Sequence, residues 1–81
     1  MLTTTDLAQI LFISHLQPSA DVSAFEVRAA VDERLRACGG DCAQAAARVA
    51  QEAGDHPEAY APRMRWALAA VADAYSPALA A

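Results

Sequence analysis

Two cysteines and two histidines are the residues of this chain best suited to bind a metal or change redox state. Cys38 and Cys42 flank Gly39-Gly40-Asp41, and His15 and His56 lie on separate segments. Together they would make up a tetrahedral zinc set, but a C-x3-C pair with distant histidines matches no strong zinc spacing. A disulfide across the turn is sterically conceivable, and a reducing compartment opposes it. The reading ranked first is two unpaired thiols packed like small hydrophobes, with a disulfide second and a metal- or redox-responsive switch last. Cys42 at a helix start has a position that depresses a thiol pKa, which alone makes no nucleophile. For catalysis the chain has no G-x-S-x-G elbow, no H-E-x-x-H, no phosphate loop and no carboxylate pair set in apolar sequence. No catalytic residue, metal ligand or cofactor is expected, and the chain reads as non-enzymatic.

The remaining candidates are contact residues. Every basic residue is Arg, and lysine and asparagine are absent, a bias that GC-rich coding explains. Arg63 and Arg65 sit close together beside Trp66, the only tryptophan, and Arg63 can stack on Trp66 three residues along a helix. A net charge of −4 with a pI near 4.8 opposes non-specific nucleic-acid binding, so any such contact needs a local basic patch. No apolar run approaches the ~18 to 20 residues of a membrane span, and the N-terminus lacks a basic signal region, so a soluble cytoplasmic protein is expected. With 81 residues the chain forms one domain that buries only about 60% of its unfolded surface. That leaves little room for a deep ligand pocket.

Helical elements must position these residues. Arg63 to Tyr75 carries Met64, Leu68, Val71 and Tyr75 at the repeat of a helix with one buried face, with Ala67 and Ala74 on the same side. It reads as the central helix. Thr3-x-x-Asp6 resembles a capping box, so a first helix is expected over about residues 5 to 16. Leu7, Ile10, Leu11 and Ser14 make one stripe, and Phe12, Ile13 and Leu16 add apolar surface round the rest. Such a helix is either inserted in the core or has a face for another chain. His15 near its end suits a helix C-terminus.

Pro18 breaks this helix. Ser23-x-x-Glu26 with Val22 and Val27 spells a capping box and hydrophobic staple, so a second helix starts at Ala24. Val27, Val31, Leu35 and Cys38 face the core, and Arg28, Asp32 and Arg36 form an outward charge ladder. Gly39 and Gly40 end it. Asp41 and Gln44 cap a third helix from about Cys42 to Ala53, with a thin face of Ala45, Ala46, Val49, Ala50 and Ala53, and Gly54 stops it. Asp55-x-x-Glu58 caps the next start. Pro62 allows two readings of the last helix: a short turn before it, or, preferred, a continuous helix with an irregular start. Ser76 and Pro77 end it, leaving 77–81 as a frayed tail.

Two resemblances bear on function. Ala46 to Met64 resembles helix-turn-helix modules, with Val49, Ala50 and Gly54 at suitable spacing. The likeness implies DNA contact by Arg63 and Arg65, although Tyr60 and Arg63 fall where such modules pack inward. The blocks GDHPEAYAPRMRWA, CAQAAARVAQEA and LFISHLQPS look similar to small all-helical proteins of high-GC bacteria. That likeness covers most of the chain and implies no activity.

The expected fold is all-α: a compact bundle of four short helices, the last two helix-turn-helix-like. The expected function is a small interaction or regulatory module with a protein partner or a second copy of itself, DNA being the alternative. The contact residues expected are Phe12, Ile13, His56, Tyr60, Arg63, Arg65 and Trp66, with Tyr60 and Trp66 exposed.

Overall fold

The computed structural model describes residues 3–18, 22–37, 39 and 43–80, with side chains described as far as Tyr75. Four helices follow in order: α1 (Thr4–Phe12), α2 (Ala24–Ala37), α3 (Ala43–Asp55) and α4 (Pro57–Ala80). No strand occurs among the described residues. The expectations for Cys38, Gly40, Asp41 and Cys42 lie outside the described residues.

Local chemistry sets the first boundaries. Thr3 Oγ1 accepts from the Asp6 N–H at 3.1 Å while Asp6 Oδ2 accepts from the Thr3 N–H at 3.0 Å. The same reciprocal box opens α2: Ser23 Oγ accepts from the Glu26 N–H and Glu26 Oε1 from the Ser23 N–H. Val27 lies in the core cluster and Val22 packs against it, as expected for a staple pair. At the far end of α2, Gly39 takes a φ of +66° and donates its N–H to the Arg36 carbonyl at 3.2 Å.

Other boundaries depart from expectation. Gly54 does not stop α3; it lies inside the helix, which continues to Asp55. The cap of α4 is His56 rather than Asp55. His56 donates its N–H to the Glu52 carbonyl, closing α3, and its own carbonyl accepts from Ala59 and Tyr60, opening α4. One residue thus joins the two helices, and Pro57, with no N–H to satisfy, stands at the first helical position. This junction is shorter than the three- to four-residue turn of a helix-turn-helix unit.

The last helix is long rather than short, at 24 residues. It runs unbroken through Pro62, in the continuous form preferred above. Pro62 and Glu58, whose carbonyl the missing N–H would have reached, are both exposed, so water can take that acceptor. The backbone also stays helical through Ser76 and Pro77 to Ala80, where an end was expected.

The core is built around α1 and α4. Each touches all three other helices, whereas α2 and α3 do not touch one another among the described residues. Ala8, Ile10, Leu11 and Phe12 are all buried, and successive positions spaced 100° apart place them round most of α1. Much of its apolar surface is therefore used inside the fold, while Ile13 and Leu16, beyond its end, are half-buried. Against it α4 presents Ala67, Val71 and Ala74, each at 1% exposure or less, with Met64, Ala70 and Tyr75 packed beside them. Leu68 is not on this face: it is 39% exposed, one residue and about 100° from Ala67. The small Ala67 and Ala74 set the contact line. From α3 only Ala45 enters the cluster, with Val49 also buried; Ala46 and Ala50, expected on that face, are exposed.

A Cβ at Gly54 would meet nothing within 4 Å, and its φ is not positive. Gly54→Ala should therefore raise stability by about 0.5–1 kcal/mol. Gly39→Ala, forced into left-handed geometry, should lower it by about 1–2 kcal/mol. Urea unfolding of the two variants, followed by helical circular dichroism, checks both signs.

Candidate functional site

The expected helix over residues 5 to 16 stops at Phe12, and the reason lies in two side chains. Ser14, buried at 7% exposure, donates its hydroxyl to the Leu11 carbonyl at 2.6 Å and accepts the Leu16 N–H at 3.3 Å. Its own N–H also reaches the Leu11 carbonyl, at 3.0 Å. A short hydroxyl that competes for backbone groups in this way turns the chain out of the helix.

Arg63 completes the turn from α4. Its Nε donates to the Phe12 carbonyl at 2.8 Å, and its Nη2 donates to the carbonyls of Ser14 at 3.0 Å and Leu16 at 3.1 Å. A helix C-terminus leaves carbonyls without intrahelical donors and carries partial negative charge, so a guanidinium there satisfies both needs. The same group lies 5.4 Å from the Phe12 ring centroid and 5.3 Å from that of Trp66, within range of cation–π attraction. Burial pulls its pKa below the ordinary arginine value. All three acceptors are neutral carbonyls, so the positive charge is solvated by dipoles and not cancelled.

A second arginine ties α2 to α4. Arg28, on the outward ladder, donates Nη1 to the Ala74 carbonyl at 2.8 Å. The neighbouring Tyr75 hydroxyl has a raised pKa, chiefly through burial, with Asp32 adding to the rise and Arg28 offsetting it. The ladder is thus partly structural.

Beside the Arg63 turn lies an open cleft of about 250 Å³ between the end of α1, α3 and the start of α4, lined by Phe12, Ile13, Ser14, Arg48, Glu52, Ala59, Tyr60 and Arg63. Four of the seven expected contact residues, Phe12, Ile13, Tyr60 and Arg63, therefore come together on one wall. Phe12 and Tyr60 pack with ring centroids 5.6 Å apart, tilted by 47°. Tyr60 and Trp66 are half-buried, not exposed as expected, because Phe12 covers one and Arg63 the other. His56 and Arg65 are exposed and do not line the cleft. Arg63 faces α1, so its guanidinium is engaged inside the protein. Among the described residues no three His, Cys, Asp or Glu side chains gather to hold a metal, and no helix is long and apolar enough to cross a membrane.

Phe25 is the residue the sequence reading missed. It is 74% exposed and edges a shallow depression of about 210 Å³ with His15, Leu16, Glu26, Ala29 and Glu33. The signal was present: Phe25 precedes the core residue Val27 by two positions, which on a helix is about 200° and hence the opposite face.

Compared with family models, curated proteins and solved structures, the chain matches none.

Replacing Arg63 by Met keeps the side chain's apolar contacts and removes its donors. The expected loss is about 2–3 kcal/mol, the scale of hydrogen bonds to a charged group and of acceptors left unmet. Arg65→Met, on the exposed face, should change stability by less than about 0.5 kcal/mol. Urea midpoints of the two variants measured side by side test the difference between these two arginines.

Proposed function

We propose that this protein is a non-enzymatic interaction module whose partner docks on the outward face of α2, centred on Phe25. The observation that carries the reading is the exposure of Phe25 at 74%, on the side of α2 away from the core residue Val27. Covering such a ring would gain about 1.5–3 kcal/mol, and aromatic anchors of this kind dominate interface energies. The ring is framed by Glu26 and Glu33, with Ala29 and Leu16 beside it. A complementary surface is therefore an apolar pocket with a basic rim, on another protein or on a second copy of this chain.

Phe25→Ser should leave the melting temperature and helical signal nearly unchanged, since the residue is exposed. Light scattering over a range of concentrations, together with affinity capture from the native cell, is to be run on both proteins. The expected result is an assembly or captured partner seen with the parent and lost with Phe25→Ser. Identical behaviour of the two would overturn the reading.

A further inference from the structure

We propose that the cleft between α1, α3 and α4 binds a carboxylate carried on a single ring or one apolar side chain. The inference stands independently of the Phe25 face. Phe12 and Tyr60, with centroids 5.6 Å apart, both line the cleft, Tyr60 being the more accessible ring and Phe12 the buried one behind it. Ile13 and Ala59 extend the apolar wall. A flat apolar group seated there gains edge or offset contact with the Tyr60 ring.

Charge selects the rest of the ligand. Two arginines line the cleft, Arg48 from α3 and Arg63 from α4, the latter with its guanidinium turned to the end of α1. Arg63 is held in place by carbonyls at 2.8, 3.0 and 3.1 Å, so it keeps a full positive charge in the wall without an anion to cancel it. Arg48 is exposed and free to swing over an entering anion as a planar fork that matches a carboxylate. Glu52, one helical turn beyond Arg48, is the single anionic side chain on the wall among the described residues. Two cations and one anion leave one positive charge, which suits a monoanion and disfavours a dianion such as a phosphate monoester.

Size sets the remaining limit. About 250 Å³ lies below the range of pockets that enclose drug-sized ligands, roughly 300–1,000 Å³. One ring or one side chain fits. Two sources share this chemistry: a free arylalkyl carboxylic acid, or the C-terminal carboxylate of a peptide ending in an apolar residue.

The test is a titration of the whole protein with phenylacetate, N-acetylphenylalanine and the neutral isostere phenylacetamide, read by Trp66 fluorescence and amide NMR shifts. Trp66 is a local reporter because its ring lies 5.3 Å from the Arg63 guanidinium. Saturable binding of at least one acid is expected, around millimolar for a ligand of so few atoms. Phenylacetamide should bind at least about tenfold more weakly, and the acid's binding should weaken with salt. Arg48→Gln removes the exposed fork, and Ala59→Phe fills the cleft from an exposed helical position; each should abolish the shifts while the melting temperature holds. Tighter binding of N-acetylphenylalanine assigns the site to peptide ends, and tighter binding of phenylacetate to free acids. Equal binding of acid and amide, absence of saturation by both acids, or full binding retained in both variants would overturn the proposal.

Discussion

The Arg63 guanidinium at the end of α1 is the interaction on which the remaining structure depends. A nine-residue helix has little stability of its own, and its last carbonyls need donors once other helices enclose it. Arg63 supplies them from a position 51 residues along the chain. The same contact fixes where α1 ends, how the chain leaves towards Pro18, and the rotation of α4 that turns Ala67, Val71 and Ala74 onto the core. The aromatic lining of the cleft follows from it too, since Phe12 lies under the guanidinium and against Tyr60.

Packing economy explains the arrangement around that contact. A chain of 81 residues has few large apolar side chains to bury, and its core cluster relies on Ala8, Ala30, Ala45, Ala67 and Ala74 between Ile10, Leu11, Val27, Val31 and Val71. Alanine allows helices to approach closely but adds little apolar area per residue. Directional bonds supplement the area: Arg63 joins α4 to α1, and Arg28 joins α2 to α4. Two of the six arginines thus act as inter-helix ties, and neither role depends on a carboxylate partner.

What was legible in the sequence was local. The capping boxes at Thr3 and Ser23 involve residues three apart, and both appear as hydrogen-bonded pairs. Gly39 adopts its expected left-handed turn because φ preference belongs to the residue itself. The all-α class followed from alanine content and helical spacing. Illegible features were those decided by distant partners. Helix α1 ends at Phe12 because Ser14 and Arg63 compete for carbonyls that a continued helix would have used. Gly54 stays helical because α3 and α4 share His56 as their joint, so no glycine turn is needed. Leu68 lies off the buried stripe, which Ala67, Val71 and Ala74 form. For the site, Phe12, Ile13, Tyr60 and Arg63 were singled out for separate reasons, and their meeting in one cleft was not legible because it depends on how α4 lies against α1. Arg48 and Glu52 went unnoticed because opposite charges four apart on a helix read as ordinary solvated surface, whereas Glu52 is half-buried.

The most direct measurement of the central claim is the NMR signal of the Arg63 side chain in the intact protein. A guanidinium bonded to three carbonyls should show a resolved Nε–H resonance near neutral pH, exchanging slowly with water and coupled through the hydrogen bond to the Phe12 carbonyl carbon. An Arg63 Nε–H that exchanges as fast as those of the exposed Arg36 and Arg65, with no coupling to Phe12, would contradict the account.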